Sequence, residues 1–276
     1  MSLNSINTNT AALTALQNYN STSQQLAKVQ AHVSTGLKVS SAKDDGATWA
    51  IAQNSRSSVS ALDAVKDSLN RASSTVDVAV SAGQSISDLL NQAKSKALAA
   101  TDTSLDTASR TALANDFTSL RDQIGKIVSN ADFNGANLIK TGGTSLYALA
   151  NASGTSKITV AAVNLGLGGG TVTITAASTF TTATTAAAQL ALVNTSITNV
   201  NAAVAKLGTG SNAIATHLSF VGKLQDTLTA GVGNLVDADL AKESASLSAL
   251  QTKQQLGVQA LSIANSSSSS LLSLFR

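Results

Sequence analysis

Residues 62–97 read L-D-A-V-K-D-S-L-N-R-A-S-S-T-V-D-V-A-V-S-A-G-Q-S-I-S-D-L-L-N-Q-A-K-S-K-A, and the spacing of their apolar positions decides the fold. Leu62, Val65, Leu69, Ala72, Val76, Ala79, Gly83, Ile86, Leu90, Ala93 and Ala97 follow one another in alternating steps of three and four. That is a heptad seam held for about five heptads, the signature of a long helix that packs along one stripe. A second run, Leu113, Phe117, Leu120, Ile124, Ile127 and Ala131, has the same spacing. So does a third: Leu190, Val193, Ile197, Val200, Val204, Leu207, Ser211, Ile214, Leu218 and Val221. Three such helices predict an antiparallel bundle whose core is these side chains.

Composition agrees. Aromatics are 3% and charged residues 12%, while the 43% apolar fraction leans on alanine, so thin interfaces between long helices suit the chain better than a thick core. Proline is absent, which leaves no helix obliged to break by that route.

The termini show the same period. Leu3, Ile6, Leu13, Leu16, Tyr19, Leu26, Val29, Val33 and Leu37 mark one amphipathic helix; Val236, Leu240, Leu247, Leu250, Gly257, Leu261, Ala264, Leu271 and Phe275 mark another. Neither has a bulky partner nearby in sequence, so they pair with each other or with another subunit. Between the helical parts, residues 134–180 carry an Asn-Gly turn signal and read as a small β segment, with alternating strand patterns at 156–162 and 171–177. The Thr-rich stretch 179–185 leads into the third helix.

Little here supports chemistry. Without cysteine there are no thiolates, and the two histidines, His32 and His217, stand far apart with no acidic residue three or four positions on. Both read as partly buried residues on helix faces. G-L-G-G-G-T at 166–171 lacks the lysine and following helix of a phosphate loop. D-A-D-L-A-K-E at 237–243 lacks the glycine and glutamate of a calcium loop and reads as helix-capping acids. No catalytic, cofactor-binding or metal-ligating residue is expected. Lys and Arg are scattered singly, which argues against nucleic acid, and no stretch has the length and apolarity to enter a membrane. On these grounds alone the chain would be placed in the cytoplasm.

The stretch 34–47, S-T-G-L-K-V-S-S-A-K-D-D-G-A, reads as a joint. Gly36 suits a helix C-cap, and Ser41 followed by Asp44 suits a capping box opening the next helix. Lys43, Asp44, Asp45 and Gly46 belong to this connector.

Four motifs carry a resemblance: S-I-N-T-N at 5–9, the connector itself, F-N-G-A-N-L-I at 133–139, and A-L-Q-T-K-Q-Q-L-G-V-Q-A-L-S-I-A-N at 249–265, with L-F-R at 274–276. Together they resemble bacterial flagellin, specifically the short alphaproteobacterial, Caulobacter-like flagellins. The resemblance implies a mainly α fold, a long antiparallel coiled-coil-like bundle with the small β segment inserted mid-chain. It implies an N-terminal D0 helix at 1–33, a spoke at 34–47, and N-terminal D1 helices at 48–133. There follow a D1 β-hairpin with a reduced variable segment at 134–180, a C-terminal D1 helix at 181–233 and a C-terminal D0 helix at 234–276. The terminal helices, disordered in the free monomer, would pair on assembly and pack between subunits.

The implied function is a structural subunit that self-assembles into the flagellar filament; the alternative is a hook–filament junction protein. An enzyme-bearing flagellin would need H-E-x-x-H, which is absent. Implied partners are the chain itself, other flagellins, an export chaperone, a filament cap and hook-junction proteins. The resemblance overrules the cytoplasmic placement in favour of the extracellular filament, reached without a cleaved signal. O-linked sugars, common in the family, have candidate sites at Thr171, Thr173, Ser178, Thr179, Thr181 and Thr182. The positions at which receptor-detected flagellins carry Arg, Leu and an acid hold Gln92, Lys96 and Asp116 here, which implies weak recognition by the animal innate receptor.

Overall fold

The computed structural model describes residues 8–273, and side chains for 8–266. Its elements are α1 (Thr10–Thr35), α2 (Gly46–Ala99), α3 (Thr107–Asn130), β1 (Leu146–Leu149), β2 (Lys157–Val160), α4 (Ala183–Val236) and α5 (Leu240–Ser273). Two compact units form, one from residues up to Ser57 and from Thr227 onward, the other Ser58–Asp226.

In the Ser58–Asp226 unit the helices run antiparallel, as side-chain links show. Ser211 Oγ donates to Asp77 Oδ1 and Ser87 Oγ to Asn201 Oδ1 between α2 and α4, while Lys96 Nζ meets Asp116 Oδ2 between α2 and α3. All eleven seam positions from Leu62 to Ala97 are buried. Phe117, Ile124, Val193, Val200 and Ile214 are buried with them, and Leu120, Ile197, Val204 and Leu218 are half-buried. Phe117 meets Phe180 at a ring-centroid distance of 5.4 Å. α3 starts at an N-cap, Asp106, whose side chain accepts from Ser109 N. Just before it the turn from α2 is tied by buried Arg110, which donates to the carbonyls of Ala100 and Asp102.

After α3 comes a tight turn at Asn134–Gly135 with positive φ at both residues. Buried Asn137 then anchors the chain, donating to Val128 O and accepting from Ile139 N and Lys140 N. β1 and β2 pair antiparallel, Leu146 opposite Val160 and Leu149 opposite Lys157. The hairpin lies on the helices: Ser68 Oγ accepts from Leu149 N, and Val160 packs where Gly210 leaves room, a Cβ there meeting its methyls at 3.0 Å.

The middle segment differs from expectation. A strand does form within 156–162 and pairs with 146–149, but 171–177 forms none. At 171–177 there is only an isolated bridge, Leu167 to Val172. The flanking Gly168 and Gly170 adopt left-handed conformations that interrupt an extended ladder. Val172 and Ile174 are fully buried, and Thr173 N donates to Ser196 Oγ on α4 rather than to a strand. The alternation was real, but it records packing onto helices.

The other unit contains α1 and α5, paired antiparallel. Asn9 Nδ2 donates to Ala264 O, Tyr19 lies against Gly257, and His32 reaches Glu243. The two terminal helices therefore partner one another within a single chain. Between α1 and α2 the connector is stitched to the turn before α5: Leu37 bridges Asp237, Lys38 N donates to Val236 O at 2.7 Å, and Ala238 N to Gly36 O at 2.8 Å. Val39, Ala52, Val232 and Val236 form a small core there, with Leu37 and Trp49 against it.

Candidate assembly surfaces

No cluster of three or more His, Asp or Glu that could hold a metal lies among the described residues, and no described helix is long and apolar enough to cross a membrane. The feature of the molecule that asks for a partner is the α1–α5 pair. On α1 the residues turned inward are Ala12, Ala15, Tyr19, Thr22, Leu26, Val29 and Val33; on α5 they are Glu243, Leu247, Leu250, Gln254, Gly257, Leu261 and Ala264. Both sets step by three and four, so this too is a heptad seam. It is a thin one: of those residues only Thr22 and Leu26 are buried, and the rest are half-covered.

Bulky apolar side chains sit off the seam. Leu13 is 58% exposed, Leu16 42%, Leu256 59%, Val258 52% and Ile263 70%, so each keeps a large part of its surface open to solvent at the edge of the seam or beyond it. Leu13 and Leu16 line an open groove with Val258 and Leu261. Of the sequence-derived D0 residues, Leu26, Val29, Val33, Leu247, Leu250 and Leu261 thus lie in the pair's seam, and Leu13 and Leu16 on its outer surface. Leu3, Ile6 and Phe275 fall outside the described residues, as does the side chain of Leu271.

Near the connector the pair becomes polar. His32 is buried, and its Nδ1 lies 3.2 Å from Glu243 Oε1. Sequence reasoning missed this link, because it searched for an acid within a helical turn of the histidine and the partner is 211 residues away. The other histidine, half-buried His217, has its Nε2 2.7 Å from Ala150 O beside the hairpin.

Gly36 caps α1 in the left-handed conformation with φ 72°, its N–H donating to His32 O. The carboxylates that follow divide the work differently from the capping box expected at Ser41. Asp44 Oδ2 accepts from the main-chain N–H and the hydroxyl of both Ser40 and Ser41, so it closes the turn. The helix N-cap is Asp45, which accepts from Ala47 N and Thr48 N and takes the Thr48 hydroxyl at 2.6 Å. Ser41 cannot cap α2 because three intervening residues are used by the turn. The Ser40 hydroxyl and the Ser41 N–H hold the Asp44 carboxyl below its ordinary range, and the Thr48 hydroxyl and N–H do the same for Asp45. Both carboxylates are stabilised in the charged form by these hydrogen bonds, and Asp45 in addition caps a helix. Lys43 and Gly46 are exposed beside them. Asp239 repeats the arrangement at α5, accepting from Ala241 N and Lys242 N.

The sugar-acceptor candidates separate. Thr179, Thr181 and Thr182 are exposed, Thr171 and Thr173 half-covered, and Ser178 is buried. Ser178 Oγ accepts from Thr175 N, and its carbonyl takes Arg121 Nη1 at 2.8 Å, so it leaves the candidate set. Gln92, Lys96 and Asp116 lie on the α2 and α3 surfaces, with Lys96 and Asp116 in an ion pair of 2.8 Å.

The chain matches the model of the bacterial flagellin N-terminal helical region over residues 6–144 and that of the C-terminal helical region over 190–275. Flagellin FljM of Caulobacter vibrioides is 59% identical to it over the whole of both chains. A flagellin of Brucella melitensis is 41% identical over 99% of each. Among solved structures, Bacillus cereus flagellin has the same fold, with a TM-score of 0.50 at 22% identity, covering 56% of this chain and 88% of its own.

Proposed function

This chain belongs to the bacterial flagellins, and from that premise we propose how it makes a filament. It is a structural subunit of the flagellar filament; relatives of 57–59% identity over full length are all flagellins, which leaves the junction-protein alternative without support. Flagellins self-assemble, and the task falls here to the α1–α5 pair. The observation that carries this reading is the exposure of Leu13, Leu16, Leu256, Val258 and Ile263 on a pair whose seam buries almost nothing. From Thr8 to Ala27 and from Gln254 to Ser266 no residue is charged, so a second copy can cover this surface with no charge to desolvate. A contact that does not close on itself continues as a helical filament.

The chain would leave the cell by flagellar export, with a chaperone shielding the apolar side of α5. Filament cap and hook-junction proteins would meet it at assembly, and other flagellins would share the filament. Thr179, Thr181 and Thr182 are the accessible acceptors for sugar. Gln92 and Lys96 stand where receptor-detected flagellins carry an arginine and a leucine, so a bidentate donor and an apolar contact are missing, which fits weak innate detection.

Seeded polymerisation followed by electron microscopy tests the assembly reading. The full chain gives long filaments, and a chain truncated after Ala249, which loses five of the seven α5 seam residues with Leu256, Val258 and Ile263, gives none. Equal filament yield from both would refute it.

A further inference from the structure

The turn between α3 and the hairpin carries the one Asn-Gly dipeptide of the chain, Asn134–Gly135. Both residues are exposed, with φ 52° and 80°, and Phe133 and Ala136 exchange both main-chain hydrogen bonds across them at 3.0 Å. A two-residue turn of this kind requires positive φ at both centres, which Asn-Gly supplies at low cost. The same pairing has a chemical liability. Glycine has no side chain to shield its main-chain nitrogen, so that nitrogen can reach the side-chain amide of the asparagine before it.

In this protein that nitrogen is occupied. Gly135 N–H donates to Asp132 Oδ1 at 2.9 Å. We propose that Asn134 is a latent deamidation site, and that Asp132 keeps it unreactive for as long as the turn is folded.

The reaction needs only water and base. Gly135 N gives its proton to hydroxide and attacks Asn134 Cγ. The new C–N bond closes a five-membered imide, the bond from Cγ to Nδ2 breaks, and the amide nitrogen departs as ammonia after taking a proton from water. Water then opens the ring at either carbonyl, leaving aspartate or isoaspartate.

Two features of the fold oppose the first step. The proton to be lost sits in a charge-assisted hydrogen bond, and an amide anion would form beside the Asp132 carboxylate, against like-charge repulsion. The peptide plane is also pinned: Asp132 N donates to Asn130 O at 2.8 Å before the turn, and buried Asn137 is held by three hydrogen bonds after it. Gly135 N cannot swing toward the asparagine side chain without breaking the Phe133–Ala136 pair. The isoaspartyl product would lengthen the main chain inside a turn that admits two residues, so reaction before folding would be locked in as a misfit.

Peptide mass mapping tests this on the full-length chain, held in mildly alkaline buffer either native or unfolded in guanidinium chloride. Unfolded chain should gain the amide-to-acid mass shift at Asn134 ahead of the Asn-Ser sites at Asn4, Asn20, Asn54 and Asn265. Native chain should react at Asn134 at least about tenfold more slowly, the ratio expected from one charge-assisted hydrogen bond. Asp132→Ala, with its helical circular-dichroism signal intact, should lose most of that protection. Should alanine loosen the fold, Asp132→Asn, which keeps an acceptor oxygen without the charge, should still react faster than wild type. Equal rates in native and unfolded chain, or a folded Asp132 variant as slow as wild type, would overturn the proposal.

Discussion

The α2–α3–α4 bundle and the α1–α5 pair follow the same heptad rule with opposite results. Along α2 every seam position from Leu62 to Ala97 is buried, whereas along α1 only Thr22 and Leu26 of seven reach that state. Three helices and a hairpin enclose a stripe from several sides; two helices touch along one line and leave both flanks open. Residue choice follows. The bundle places Leu69, Ile86, Leu90 and Phe117 inside, while the pair mixes Ala12, Ala15 and Gly257 with Leu26, Leu247, Leu250 and Leu261 in its thin seam and leaves Leu13, Leu16 and Leu256 exposed beside it. A heptad repeat specifies which residues face a neighbour, but the number of neighbours decides whether a core is complete. The bundle is finished within one chain, and the pair is the surface that we propose other copies complete.

Substitutions can break that contrast. Phe117→Ala removes a ring fully buried against Phe180 and should cost about 3–5 kcal/mol of bundle stability, read by denaturant unfolding. Leu13→Ala deletes a side chain of similar bulk from the pair, yet monomer stability should change by no more than about 0.5 kcal/mol. Its effect should appear instead as a raised critical concentration for polymerisation, and a large loss of monomer stability would mean that Leu13 is part of the chain's own core.

Acid sharpens the comparison more gently. Asp44 and Asp45 in the connector are held below the ordinary value of 3.8 by the Ser40 and Thr48 hydroxyls. Asp102 and Asp106 at the far turn of the bundle are held below it by the Ser104 N–H and the Ser109 side chain. A depressed folded value gives stability that is complete above the unfolded value and is lost as pH falls through the folded one. Both units should therefore soften below about pH 4, and Thr48→Ala should make the connector less acid-sensitive in hydrogen exchange while leaving the Asp102–Asp106 turn unchanged. The smallest effect belongs to Lys96→Ala, since that ion pair is exposed on both sides; a loss within about 0.2–1 kcal/mol is expected by thermal melting.

The long helices were legible because leucine, valine and isoleucine recur at heptad spacing through Leu62–Ala97 and Leu190–Val221. The α1–α5 seam was legible only in part. Where alanine fills both the seam and the surface, hydropathy cannot separate Ala12 from Ala11, and the eye settles on Leu13 and Leu16, which lie outside. The segment 171–177 failed for a related reason. Alternation reports that one side of a chain is covered, and Val172 and Ile174 are covered by packing rather than by a ladder. The capping acids were seen as a group, but choosing Asp45 over Ser41 depended on how many residues the preceding turn consumes. His32 with Glu243, and Arg121 with Ser178 O, join residues too far apart in the chain for any local pattern to announce.

Gly83 occupies a seam position where α2 elsewhere has leucine, valine, isoleucine or alanine, and a Cβ there would come within 2.6 Å of Val204 Cγ2. That makes the contact a key as well as a contact. If α4 slid by one heptad along α2, Val204 would face Val76 or Leu90 in place of the gap, and the helices could not close to the same distance. A repeat uniform along its length has many registers of nearly equal worth. One missing side chain, matched to one valine, gives this bundle a single way to align.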